Sequence, residues 1–344
     1  MSNALISSPL PWHREAWEAF HQHLHNGQIS HAFLISAEAQ SGKRLFATML
    51  AQWLLCETPT QHRACGKCGA CLLSAAGSNP DFVIVQPEEK SKIIKIDQIR
   101  ELKQFIETSS HSFGKRIILL DSAENLNINA ANAMLKGLEE PPADVIFLLL
   151  SDRPKSVLAT ISSRCRALKL PKPTAAQSLQ WLATQTPETP SEELEFALDY
   201  AQGRPLQALL TLEDASADRK KALGNDLLTV MSGQEIVSKM VSRYYKNDAL
   251  DVLNVLSYWL SVLVKFQISG NKALVKGRAL QQAATLIPDQ DLGGRAFSRA
   301  LLGLYENVCE AQTQVASVSN PNMQLLLEDL LLQLQHLFKQ DAHA

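Results

Sequence analysis

The sequence has almost no net charge: 33 lysines and arginines stand against 35 aspartates and glutamates, leaving -2 over 344 residues at neutral pH. A surface so balanced cannot hold a polyanion across its whole extent, so any nucleic-acid contact must be local or borrowed from partners. Single-sign charge blocks, internal repeats and low-complexity tracts are also missing, which excludes a disordered or fibrous chain. Residues 1–10 carry neither a basic stretch nor a long apolar one, so no secretory signal is expected. Membrane spans are not expected either. Residues 253–264 are too short and contain Asn254, Ser257 and Ser261, while 323–338 is interrupted by Glu328, Asp329, Gln333, Gln335 and His336. No Ser/His/Asp arrangement or carboxylate pair suggests hydrolytic acid–base chemistry. His21, His23 and His25 are spaced by two, which on a helix points them to different sides, so they are expected to be solvated.

What is present is a soluble composition, 46% hydrophobic, with a length that allows two to three domains at about 150 residues each. Short apolar runs at 31–35, 81–86, 116–121, 145–150 and 167–170 read as strands. Three of them are nearly continuous, as strands buried on both faces require. Helical periodicity lies between them, at 43–56, at 97–108 with Asp97 as N-cap, and at 127–140, which Pro141 and Pro142 terminate. The fold class expected for 1–170 is therefore α/β, a parallel sheet between helices. Beyond Pro171 and Pro173 only helical patterns continue. Residues 171–210 form a small helical domain, including a helix over 191–202 capped by Ser191, and 211–344 form a larger all-α domain whose last helix opens at Asn320-Pro321.

After the first strand, residues 37–44 read AEAQSGKR, where a phosphate loop would read GxxxxGK[ST]. Gly42 and Lys43 are kept, whereas Ala37 and Gln40 replace glycines that let the backbone wrap phosphates, and Arg44 replaces the hydroxyl that ligates magnesium. The third strand ends in Asp121, in the apolar-run-then-Asp form of a Walker B strand. Ser122 follows where a water-positioning glutamate would stand, so hydrolysis is compromised. Cys56, Cys65, Cys68 and Cys71 form Cx8CxxCxxC, a spacing that brings four thiolates to one tetrahedral ion. Structural Zn²⁺ stapling an insertion at 56–71 is the expected occupant, ahead of an iron–sulfur cluster or a redox pair. In a reducing, cytoplasmic compartment such clusters more often hold metal than form disulfides.

The segment NAMLKGLEEPP at 132–142, with Ser163-Arg164-Cys165 and the ending Asn320-Pro321-Asn322, resembles the clamp-loader subunits of bacterial DNA polymerase III, members of the AAA+ superfamily. The resemblance covers nearly the whole chain and implies an AAA+ sheet domain, a helical lid and a helical collar that joins a hetero-oligomeric ring. It implies that Arg164 acts in trans as an arginine finger on ATP bound by a neighbouring subunit, with Ser163 and Cys165 supporting it. It also implies gamma/tau and delta subunits as partners, with the sliding beta clamp and primer–template DNA engaged through the assembly. The family's lid sensor is similar to GSxRxA, and here Leu206 stands in the arginine's place, while Ser151 stands near the other sensor position. Such a subunit would be no enzyme on its own, its degenerate loop leaving ATP to its neighbours. Two other readings are an active ATP-hydrolysing motor, opposed by Arg44 and Ser122, and a stand-alone zinc-dependent DNA-binding module, opposed by the charge balance.

Overall fold

The computed structural model describes residues 8–25, 30–60, 63–88, 93–107, 114–142, 144–213, 217–275, 278–287, 294–316 and 321–340. The chain divides into two compact units, Met1–Trp181 with Arg204–Leu206, and Leu182–Gly203 with Gln207–Ala344.

The first unit is a five-stranded parallel sheet between two layers of helix. Its strands are β1 (Ala32–Ser36), β2 (Phe82–Val85), β3 (Arg116–Leu120), β4 (Val145–Ser151) and β5 (Arg166–Lys169), in the order β2-β3-β4-β1-β5. Its helices are α1 (Arg14–His25), α2 (Lys43–Leu55), α3 (Gly69–Ala75), α4 (Ile96–Glu107), α5 (Ile128–Glu139), the short α6 (Ala159–Ser162) and most of α7 (Ala175–Gln185). Because side chains alternate across a strand, the apolar runs sort into two cores. Ala32, Leu34, Ile118, Leu120, Phe147 and Leu149 pack with Ile99 and Leu102 of α4 and Ala130, Met134 and Leu138 of α5. Phe33, Ile35, Ile117, Leu119, Ile146 and Leu148 pack on the other face with Trp17 and Phe20 of α1 and Phe46, Met49 and Leu50 of α2. All five expected strands are present, within a residue of their expected ends. The parallel arrangement gathers the loops after β1, β3 and β4 at one edge of the sheet, where ligand crevices form in open α/β folds.

One polar staple holds the opposite edge. Arg116, 4% exposed at its side chain, is bidentate to Asp144 at 2.8 and 2.9 Å. Its third nitrogen donates to the carbonyls of Phe105 and Ile106 in the last turn of α4. The guanidinium holds the Asp144 carboxyl below the usual carboxylate range.

The second unit is helical: α8 (Ser191–Tyr200), most of α9 (Pro205–Glu213), α10 (Ala217–Met231), α11 (Val237–Tyr244), α12 (Ala249–Ser269), α13 (Arg278–Ala284), α14 (Gly294–Ala316) and α15 (Met323–Gln340). Its core joins Val252, Leu256, Leu260 and Leu263 of α12 to Leu301, Leu304 and Val308 of α14 and to Leu327, Leu331 and Leu334 of α15. Helix α12 is 21 residues long and apolar enough to cross a membrane by length and composition, but 61% of its most apolar window is buried inside this unit, as in a soluble core helix.

Several helix starts differ from the sequence reading. Asp97 lies inside the first turn of α4 and pairs with Arg100 instead of capping. Pro190, not Ser191, is the N-cap of α8. Asn320 lies outside the described residues; α15 begins at Met323, where the Asn322 side chain accepts from the amides of Gln324 and Leu325. Asn127, expected as the first helical residue, is the N-cap of α5 instead, accepting from Ala130 N at 2.7 Å. His21 is buried, with Nδ1 2.9 Å from Trp17 O and its ring against Trp17 and Trp53, correcting the expectation of a solvated side chain. The His23 and His25 side chains lie outside the described residues.

Candidate functional site

The phosphate-loop residues occupy the turn from β1 into α2. Gly42, with φ +96°, is the left-handed N-cap of α2. Gln40 also has positive φ (57°), so the backbone keeps the bend a glycine would favour although a side chain stands there. The loop is covered by its own chain. Trp12 Nε1 donates to Ser41 O at 2.9 Å, and a β-carbon placed on Gly42 would collide with Leu10 and come within 3.4 Å of His13 and 3.6 Å of Leu206. An apolar side chain therefore lies over the loop at the position where the lid sensor of the resembled family carries arginine.

Both cations that a triphosphate would meet are already paired. Lys43 forms an ion pair with Asp152, just beyond β4. Arg44 Nη1 lies 3.1 Å from Asp121 Oδ2, so a guanidinium sits against the carboxylate that would help hold magnesium. Burial pushes the Asp121 carboxyl above its ordinary range, against the pull of Arg44 and then Lys43. Ser122, with φ 69°, caps the 3-10 turn Ala123–Asn125 and offers no carboxylate. Ser151 is fully buried, its Oγ accepting from Arg153 N at 3.1 Å.

Arg164 follows α6 and precedes β5, with its side chain 33% exposed. Its Nε donates to Glu139 Oε1 at 2.9 Å, Nη2 contacts the same oxygen, and Nη1 donates to Thr160 O at 2.8 Å. Cys165 packs against the α4–α5 core, and burial pushes its thiol up to about 11, which makes it an inert packing group. Ser163 Oγ donates back to Thr160 O.

The four cysteines meet between α2 and α3. Their sulfurs all lie within 4.8 Å of one another, with Cys56–Cys68 and Cys65–Cys71 each at 3.9 Å. Bonds of about 2.3 Å around a tetrahedral zinc put sulfurs about 3.8 Å apart, so the donor set fits that ion in both number and spacing. Gly66 (φ 77°) turns the knuckle, and the Cys65 and Cys68 amides donate to Cys56 Sγ and Cys65 Sγ. Hydrogen bonding from Thr58 and the Lys67 and Cys68 amides pulls the Cys65 thiol down to about 5, whereas burial raises Cys56 and Cys71.

A sequence profile described as DNA polymerase III, delta subunit, matches residues 12–174, and its C-terminal counterpart matches 214–336. The DNA polymerase III subunit delta' of Pseudomonas aeruginosa is 35% identical over 324 residues, covering 94% of this chain and 96% of that protein. The chain belongs to the DNA polymerase III delta-prime family. Its Escherichia coli relative of the same name is 28% identical over 329 residues, 95% of each chain. The tau subunit of Bacillus subtilis is 28% identical over 239 residues, 67% of this chain and 42% of that one.

Sequence reasoning found the cysteines, the degenerate loop and Arg164, but missed Leu10, Trp12, His13, Asp152 and Glu139, which touch them. None carries a motif of its own, and each meets its partner across at least 25 residues of chain. Only Glu139, inside LEEPP and opposite in charge to Arg164, offered a signal that could have been read.

Proposed function

We propose that this chain is a non-hydrolysing subunit of the DNA polymerase III clamp loader. The observation that carries the reading is the double pairing of Lys43 with Asp152 and Arg44 with Asp121 beneath the Leu10–His13–Leu206 cover. Nucleotide would have to break both ion pairs and displace apolar side chains to reach the loop, and it would find no hydroxyl for magnesium and no glutamate for water. Residues 1–170 serve as the AAA+ domain, 171–210 as a lid and 211–344 as a collar joining the gamma/tau and delta subunits. The sliding beta clamp and primer–template DNA are engaged through the assembly, in the cytoplasm.

Arg164 completes the ATP site of an adjacent motor subunit, where a guanidinium stabilises the charge spreading over the transferred phosphoryl group; such groups contribute roughly 10³ to 10⁵ in rate. Its partial exposure and fixed stem support this role. Cys56, Cys65, Cys68 and Cys71 would hold one Zn²⁺, which supplies a closed, redox-inert cross-link between α2 and α3. Titrating the purified chain with Mg-ATP tests the central claim. No binding is expected up to millimolar nucleotide, and saturable binding in the micromolar range would overturn it.

A further inference from the structure

The contact between Arg164 and Glu139 leaves the guanidinium little to offer a partner. Of its five N–H donors, Nε and Nη2 engage Glu139 Oε1, and Nη1 meets Thr160 O at 2.8 Å and Ser163 Oγ at 3.4 Å. One Nη2 hydrogen remains, too few for the two-pronged grip on phosphate that makes arginine effective. Glu139 is itself oddly placed. It is the last residue of the 12-residue helix α5, where the helix dipole disfavours a carboxylate, and among the described residues its ion-pair partner is the guanidinium. The pair bridges two segments of the chain, the end of α5 and the turn after α6, and both side chains reach solvent, at 33% and 47% exposure.

We propose that Glu139 is a positioning residue that parks Arg164 when no triphosphate faces it and yields when one does. The proposal rests on the reading of Arg164 as a group offered to a neighbouring subunit's ATP. Thr160 O holds Nη1 near the protein surface, so release from Glu139 needs only a swing of the other two nitrogens toward the opposing phosphate. A multiply charged γ-phosphate outcompetes a single carboxylate. The cost of parting an exposed pair is small, which makes the contact a graded brake: exposed ion pairs hold by amounts equivalent to between about 1.4-fold and fivefold in an equilibrium.

The test is steady-state ATP hydrolysis by the reconstituted hetero-oligomeric assembly carrying Glu139→Gln, Arg164→Ala or both. The ratio kcat/KM compares the free assembly with the transition state, so it registers the whole cost of unparking wherever on the path Arg164 engages. Glu139→Gln keeps shape and removes charge. It is expected to raise kcat/KM by about 1.4- to fivefold at low ionic strength, with the gain shrinking as salt screens the pair and vanishing in the Arg164→Ala background. A merely structural role for Glu139 would not accelerate turnover. An unchanged or lowered kcat/KM for Glu139→Gln, beside a strong loss for Arg164→Ala, overturns the parking role and leaves the finger standing. Wild-type turnover by Arg164→Ala overturns the finger and the parking role together.

Discussion

Acidification should unload a specific share of the first unit's stability through His13. This imidazole is fully buried, edge-on to Trp12 and Phe46 with ring centroids 5.9 and 5.6 Å away, and neither ring nitrogen has a hydrogen-bond partner among the described residues. Burial pushes its pKa down from 6.5 to about 4. The sign follows from which state binds the proton. Above about pH 6.5 the ring is neutral in both states and adds no pH dependence. Between 6.5 and 4 only the unfolded chain takes up a proton, so stability falls with pH by about 1.4 kcal/mol per unit. The loss accumulates to about 3 kcal/mol and then levels off, once the folded ring also protonates. Other acid-sensitive groups cancel in a comparison with His13→Leu, which fills the same apolar position without titrating. Urea unfolding followed by tryptophan emission suits the purpose, since Trp12, Trp17, Trp53 and Trp181 all lie in the first unit. The unfolding free energy of the wild type minus that of His13→Leu should become more negative by about 3 kcal/mol from pH 7 to pH 4. A difference independent of pH would refute the argument that this imidazole is dry and neutral.

The Arg116 staple gives a second prediction, whose pH dependence has the same sign. Arg116→Met should destabilise the first unit by about 3 kcal/mol at pH 7, because it strands Asp144 and two carbonyls at the end of α4; a change below about 1 kcal/mol in denaturant titration would contradict this. Asp144 is depressed below its unfolded value, so the pair's contribution is present above about pH 4 and is lost as pH falls through the folded pKa. The deficit of the variant should shrink accordingly. For the cysteine cluster, metal analysis of the purified chain should find one zinc per chain that survives dialysis, and Cys71→Ser should lose it along with thermal stability. Wild-type protein that folds without any bound metal would dismiss the zinc assignment.

The legible parts of this molecule are those whose physics is local. A strand buried on both faces must be apolar along its length, so β1, β3 and β4 announced themselves, and thiolates spaced by two residues can converge with no help from the rest of the chain. Cap residues were less certain, because the competing polar groups lie one to three positions apart. Asp97 and Ser191 had suitable side chains but fell inside their first turns, while Asn127, read only as the first residue of its helix, is the cap of α5. The cover over the phosphate loop was invisible, since Leu10 and Leu206 are ordinary residues until the fold places them on Gly42. His21 shows the same limit: its spacing from His23 and His25 said nothing of the Trp17–Trp53 slot that buries it.

If the phosphate loop is degenerate, as proposed, the arginine at position 44 would make the loss of the magnesium position hard to undo. Reverting Arg44 alone to a hydroxyl residue would leave Asp121 with its burial but without the first of its compensating cations. Replacing Gln40 with glycine would suit the positive φ there, and replacing Leu206 would thin the cover over Gly42, but neither would supply a metal ligand. The step at Arg44 would thus be destabilising before it is useful, and no single step would supply a complete metal site. On that reading the intrachain ion pair would work as a ratchet on the sequence: a side chain standing in the place of the metal could not leave without exposing a buried carboxylate.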